Sequence, residues 1–262
     1  MKKTLIALAV AASAAVSGSA MAWTANGTGG SVNMGGTLNP VDKVTPWEVK
    51  VGAAVNGLDA AIRKGNTTVD IPVNNAIPVL GIRVADAINK TFIGGQPDIV
   101  PQIDYHGAVD TNAFNAGAVP VNLKVKNAQN QEIGTMVVDM IAYGESSWSG
   151  SGNQPGKKQL FANNAGNAFF GGLGHGESAV STGGLYERIV AIDSGFVANY
   201  TDQNVPSKAA GIEDFSGSDN YSAFYGSGIE QGKVIRLTLN SPAQGDAPII
   251  WNASLPVTVS YQ

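Results

Sequence analysis

Leu255-Pro-Val-Thr-Val-Ser-Tyr-Gln262 sets Leu255, Val257, Val259 and Tyr261 on one parity and Pro256, Thr258, Ser260 and Gln262 on the other. Successive side chains of a strand point to opposite faces, so this alternation predicts a half-buried β-strand at the end of the chain. A second alternating stretch lies near the start, where Gly30, Val32, Met34, Gly36 and Leu38 share one parity. Bare strands at both extremities suggest strand exchange with other chains.

Working inward, Trp47, Val49 and Val51 alternate with Glu48 and Lys50, and Val69, Ile71 and Val73 repeat the pattern. Ile77 to Val84 and Ile99 to Tyr105 are short apolar runs with proline at or near their starts, as at strand edges. Val119, Val121, Leu123 and Val125 lead through Asn127-Ala-Gln-Asn-Gln131 into Ile133 to Ile141, which reads as a hairpin. Ile235, Leu237 and Leu239 form a further strand before the turn residues of Ser241 to Pro248. Many strands separated by turn signals predict an all-β sandwich. The stretch of about 143–220 breaks this rhythm. Leu185, Ile189, Ile192 and Phe196 recur at helical spacing, with Thr182 as N-cap, so the stretch reads as an insertion carrying one or two short helices.

Residues 1–22 have the build of an export signal. Lys2 and Lys3 are followed by the apolar run Leu5 to Val16, and Ala20-Met-Ala22 places cleavage between Ala22 and Trp23. The run is shorter than the roughly 20 residues a membrane span needs, so membrane insertion is not expected. Removing Lys2 and Lys3 takes the formal charge from −4 to −6. An acidic chain without basic clusters argues against nucleic acid as a partner. The chain has no cysteine, which removes disulfides, zinc-thiolate sites and thiol catalysis together.

Catalytic motifs fail. Ser151-Gly-Asn-Gln-Pro-Gly-Lys157 mimics a phosphate loop, but its first glycine is missing and Lys158 replaces the hydroxyl residue. Gly171-Gly-Leu-Gly-His-Gly176 lacks the dinucleotide spacing. The two histidines, His106 and His175, stand in no metalloprotease or hydrolase pattern. Carboxylates at Glu145, Asp193, Asp202, Glu213 and Asp214 have no spacing that assigns an acid/base pair. No catalytic residue, cofactor site or metal site is therefore expected.

Residues 23–40 form a Gly-rich arm, set off by Asn39-Pro40 from the Trp47 strand. The arm either forms the first strand of its own sheet or is donated to another chain. Residues that bear on the choice are Met1-Lys-Lys-Thr-Leu-Ile-Ala-Leu-Ala9 through Ala22, Trp23, Gly30-Ser-Val-Asn-Met-Gly-Gly-Thr-Leu38 and Trp47-Glu-Val-Lys-Val-Gly52. Phe169-Phe-Gly-Gly-Leu173, Tyr225-Gly-Ser-Gly-Ile229 and Leu255 to Gln262 add to them. Together they resemble the FaeG-like and ClpG-like major subunits of enterobacterial chaperone–usher fimbriae, nearest the ClpG type of capsule-like thin fimbria.

The resemblance implies an incomplete immunoglobulin-like sandwich over residues 41–262, completed by donor strand exchange. It implies as partners neighbouring copies of the chain, a periplasmic chaperone and an outer-membrane usher, with export through the periplasm to the cell surface. Val32, Met34 and Leu38 would be the plugs, with Gly30 and Gly36 on the same face. Leu255, Val257, Val259 and Tyr261 would form the groove strand that the chaperone also contacts. The aromatic Tyr261 next to the end fits the pilin pattern, whereas Ile249 stands where better-known pilins have glycine. Adhesion to a host-cell glycan or glycoprotein receptor would fall to the insertion, where either Tyr143, Trp148 and Phe161 stack on sugars, or Tyr143 and Phe161 belong to the core and only Trp148 is exposed. The rival readings are a minor or tip fimbrial subunit and a secreted β-sandwich carbohydrate-active enzyme.

Overall fold

The computed structural model describes residues 25–28, 31–32, 34–39, 44–150, 152–180 and 183–262. The chain divides into two units, Met1–Asp42 and Lys43–Gln262. In the first unit the described residues lie in no strand, and Val32, Met34 and Leu38 are 84%, 91% and 95% exposed. Among the described residues the alternation of the arm is thus unaccompanied by a ladder, and an extended segment without a ladder is not stable as a strand. Gly30, the Ala22–Trp23 junction, Ser151 and Thr182 lie outside the described residues.

The second unit is all-β. Its strands are β1 (Trp47–Val51), β2 (Thr68–Pro72), β3 (Ile77–Val84), β4 (Phe92–Ile93), β5 (Pro101–Asp104) and β6 (Ala118–Lys126). They continue with β7 (Glu132–Ser149), β8 (Gly156–Gln159), β9 (Asn220–Ile229), β10 (Val234–Leu239), β11 (Asn252–Ala253) and β12 (Thr258–Tyr261). An α-helix, α1 (Leu185–Ile192), precedes a 3-10 turn at Ser194–Val197.

β7 is the spine. All along its first half it pairs with β6, and Gly134 to Val137 also pair with β10, whose other edge carries β2. From Ile141 onward β7 pairs with β9, which passes the ladder to β3 and then β1, while Glu145 to Trp148 pair with β8. One strand therefore belongs to both layers of a sandwich. The registers define two ends. Trp47, Val84, Ser149, Asn220 and Tyr261 lie at one, the near end, from which the chain leads back to the arm. The Lys126–Glu132 hairpin, Thr68, Leu239 and Asn252 lie at the other, the far end.

The core explains which strands alternate. In the first half of β7, Gly134, Met136, Val138 and Met140 are buried and the residues between them exposed. From Ile141 burial becomes almost continuous. Ala142 faces the main core, while Ile141 and Tyr143 pack with Leu185, Ile189, Ile192 and Phe196 on the opposite face. β9 is buried on both faces for the same reason. Glycines make room for the covering helix: a Cβ on Gly81 would stand 2.1 Å from the Phe196 ring, and one on Gly226 2.5 Å from Ile189 Cγ2.

Three expectations need correction. The terminal strand of 255–262 is not one ladder: Asn252–Ala253 pair with β6, Thr258–Tyr261 pair with β5, and Ser254 to Val257 pair with nothing described. Pro256 has no N–H to donate, which favours a break there. The irregular region also begins later than expected, because Tyr143 to Ser149 continue β7. Helix α1 forms on the predicted apolar face, but its N-cap is Gly184, at φ 75° and with no side-chain cap.

Candidate assembly groove

A cleft of about 960 Å³ opens along the sandwich. Its floor is core: Ile71, Val121, Met136, Val138, Ile235 and Leu237 all reach it. One wall is the end of β1 and the irregular segment 52–62, from which Leu58 and Ile62 pack onto the core. The other wall is the terminal segment, including Trp251, Ala253, Leu255 and Val257. The walls meet at the near end, where the hydroxyls of Tyr261 and Thr45 hydrogen-bond.

Both walls are unfinished. β1 pairs along one edge with β3, and no ladder is described on its other edge. Trp47 is buried, yet Val49 and Val51, on the same parity, are 42% and 58% exposed. Across the cleft, Trp251, Ala253, Leu255, Val257, Val259 and Tyr261 all point inward and all stop at half burial, while every residue between them is exposed. An inward parity that is only half covered on both walls describes a sandwich lacking one strand's worth of contact. Unpaired edges beside it are templates for a further strand. The terminal alternation was visible in the sequence. Segment 52–62 was not, because Val55, Leu58 and Ile62 follow no period-2 pattern.

The three aromatics considered for receptor contact do not come together. Tyr143 is buried, lies 5.7 Å from the Phe224 ring with the two planes tilted by 56°, and donates its hydroxyl to Glu145. Tyr200 donates to the same carboxylate at 2.7 Å. Burial first, and the Glu145 charge second, push both phenols far above their usual pKa. Trp148 lies on the opposite face of β7, half-buried, with the Lys158 ammonium 5.0 Å from its ring centre and its indole N–H donated to Gln154 O at 2.9 Å. Phe161 follows β8 and is half-buried, its N–H held by Gly211 O. Trp148 is therefore a strand residue, and the loop proper spans 150–155. Asp219 anchors that loop: its carboxylate accepts Gly152 N–H and the Asn153 amide at 2.9 Å each. These bonds, led by that from Gly152, hold its pKa below the usual carboxylate value.

The remaining titratable candidates are engaged structurally. Asp193 pairs with Lys50, Asp202 with Lys157 at 2.7 Å and Glu213 with Lys158 at 3.2 Å. Asp214 takes the Ser216 hydroxyl and N–H. His106 bonds Thr258 Oγ1, and His175 bonds Thr111 Oγ1.

An all-β sandwich with an open apolar groove and, among the described residues, an unpaired edge of β1 on one side and the unpaired Ser254 to Val257 on the other has the build of a subunit made for joining. The chain belongs to the fimbrial subunit family K88, described as "Fimbrial, major and minor subunit", whose profile matches residues 1–262. It is 32% identical to the K88 fimbrial protein AC of Escherichia coli over 287 residues, covering 100% of both chains. Similarity to the K88 fimbrial protein AB of the same organism is 32% over 288 residues, and to its F41 fimbrial protein 30% over 294, again over 100% of each chain. The protein is thus a non-enzymatic fimbrial subunit that polymerises into fibres and is exported to the cell surface. No described helix is long and apolar enough to cross a membrane.

Proposed function

We propose that the chain is the major subunit of a surface fimbria and that copies join by strand donation. Residues 31–38 of one copy enter the groove of another and pair with its open edges, turning Val32, Met34 and Leu38 to the core floor. Gly36, on the same parity, fills the shallowest position. The observation that carries this reading is the match between three apolar side chains left 84–95% exposed at one parity and a core left open along one groove. Backbone bonds give such β-strand addition its affinity, and alternate side chains give it register. A periplasmic chaperone occupies the same groove before the usher exchanges it for the arm.

The arm runs antiparallel to the terminal segment. That segment travels from the far end to the near end, and each copy's own arm departs from its near end. A donor that enters at the far end stacks head to tail and leaves the acceptor's own arm free for the next copy. Deleting residues 23–40 tests the reading. The truncated chain is expected to bind chaperone and form no fibres, and surface fibres built from it would refute donation by this arm.

The same fibre is proposed to adhere to host cells through the insertion, at loop 150–155 with the half-buried Trp148 beside it. Loops on a rigid sandwich are common binding positions, and repetition along a fibre converts weak contacts into avidity. Replacing loop 150–155 is expected to lower cell binding per fibre while fibre amount stays constant.

A further inference from the structure

We propose that adjacent copies touch through a second, side-chain interface: the near end of each subunit seats its Ile88 turn in a cleft at the far end of the next. This rests on the strand-donation reading above. Three apolar side chains stand exposed at the near end, Val44 at 90%, Ile88 at 91% and Ile93 at 53%. Single exposed apolar residues need no explanation, but several at one end mark a contact surface.

The Ile88 turn is built to hold its shape. Asp86 Oδ1 accepts the N–H groups of Ile88 and Asn89 at 2.9 Å each, and Oδ2 accepts the Asn89 amide at 2.7 Å. Lys90 N–H closes the turn on Asp86 O at 2.9 Å, and Ala85 N–H ties it to Pro46 O at 2.8 Å. The turn is therefore fixed to the base of β1, where the chain leads back to the arm. A preordered knob loses little conformational freedom on docking.

The far end presents the complement. A cleft of about 510 Å³ lies beside the hairpin turn, with Ile133 and Leu239 at its base, Asn127 and Gln129 on one side and Ile249 and Ile250 on the other. Ile249 and Ile250 are 39% and 63% exposed. The hairpin beside it is rigid, since Asn127 Oδ1 accepts N–H groups from both Gln129 and Gln131.

The occupant is a second copy of this chain, and the tether selects it. Once the arm lies in the groove with Leu38 toward the far end, six residue steps join Leu38 to Val44, which span at most about 20–22 Å. The donor's near end is thus held against the acceptor's far end. A knob at one end and a cleft at the other make a heterologous contact, the type that propagates as an open filament.

The chain's lack of cysteine permits a direct test. Ile88→Cys combined with Ile250→Cys places the two thiols at opposite ends of one subunit, so a disulfide, which needs Cα atoms within about 7 Å, forms only between copies. Oxidised fibres of the double variant are run in detergent, unheated and heated. The unheated ladder reports strand donation. The expected result is a ladder that survives heating, collapses with reductant and is absent from either single variant. An unheated ladder that heating reduces to monomer would overturn the end-to-end contact and leave donation standing. Loss of the unheated ladder would overturn donation and the contact with it. The pair Val44→Cys and Ile249→Cys reads the same contact if the first variant is not exported.

Discussion

Replacing Val32, Met34 and Leu38 together by alanine separates the stability of the subunit from the stability of the joint. In the single chain these side chains are 84%, 91% and 95% exposed, so their truncation leaves the fold of the sandwich unaffected. In the fibre each is proposed to bury against the groove floor. Valine loses two methyl groups, and methionine and leucine lose three heavy atoms each. At about 0.8 kcal/mol per buried group, the joint loses about 6 kcal/mol. Halving that for incomplete burial still leaves about 3 kcal/mol, or roughly two powers of ten in the dissociation constant. The assay is a temperature series of detergent-treated fibres read as a multimer ladder, alongside thermal unfolding of the monomer. The variant ladder is expected to collapse at a much lower temperature while the monomer midpoint stays put. Equal ladder stability would refute the buried-plug reasoning. An equal loss in the monomer would mean that the arm completes its own sheet.

Three further outcomes follow from the geometry. Gly226→Ala forces a Cβ to within 2.5 Å of Ile189 and is expected to cost about 1–3 kcal/mol, read as a lower denaturant midpoint; an unchanged midpoint would show that α1 does not pack on this strand as described. Leu255→Asp with Val257→Asp places two carboxylates on the inward parity of the groove wall, at several kcal/mol if they stay charged, and is expected to abolish secretion; normal periplasmic levels of chaperone-bound variant would contradict this. Glu230 is held below its usual pKa of 4.5, first by its hydrogen bond from Arg188, so its contribution is present above pH 4.5 and fades as pH falls through the lowered value. Arg188→Gln is expected to cost about 1 kcal/mol or less at pH 7, with the difference from wild type vanishing in acid, and a deficit that persists there would assign the loss to packing.

Legibility in the sequence followed exposure to water. β2, β3, β6, β10 and the first half of β7 were readable, and in most of them one face meets solvent and the other the core. β9 escaped the pattern because Phe224, Gly226 and Gly228 lie under α1 while Tyr221, Ala223 and Tyr225 face the main core, so no polar parity remains. The far half of β7 was lost to the insertion for the same reason, and Tyr143 with it. The alternation of Val32, Met34 and Leu38 was legible although the arm's own domain leaves them bare. The groove's second wall at 52–62 was not, since its apolar spacing matches no regular strand. Trp148 fell within the stretch read as an insertion, because Ser146 to Gly156 is rich in turn formers, yet the β7 ladder runs on to Ser149.

If the arm of one copy completes the sandwich of another, hydrogen exchange on the intact chain reports it amide by amide. Amides of residues 31–38, of β1 and of Ser254 to Val257 would be followed in the chaperone-free monomer and in assembled fibres. Rapid exchange of 31–38 is expected in the monomer and strong protection in the fibre, together with slowed exchange on both groove walls. Fibres in which 31–38 exchange as fast as in the monomer would contradict it.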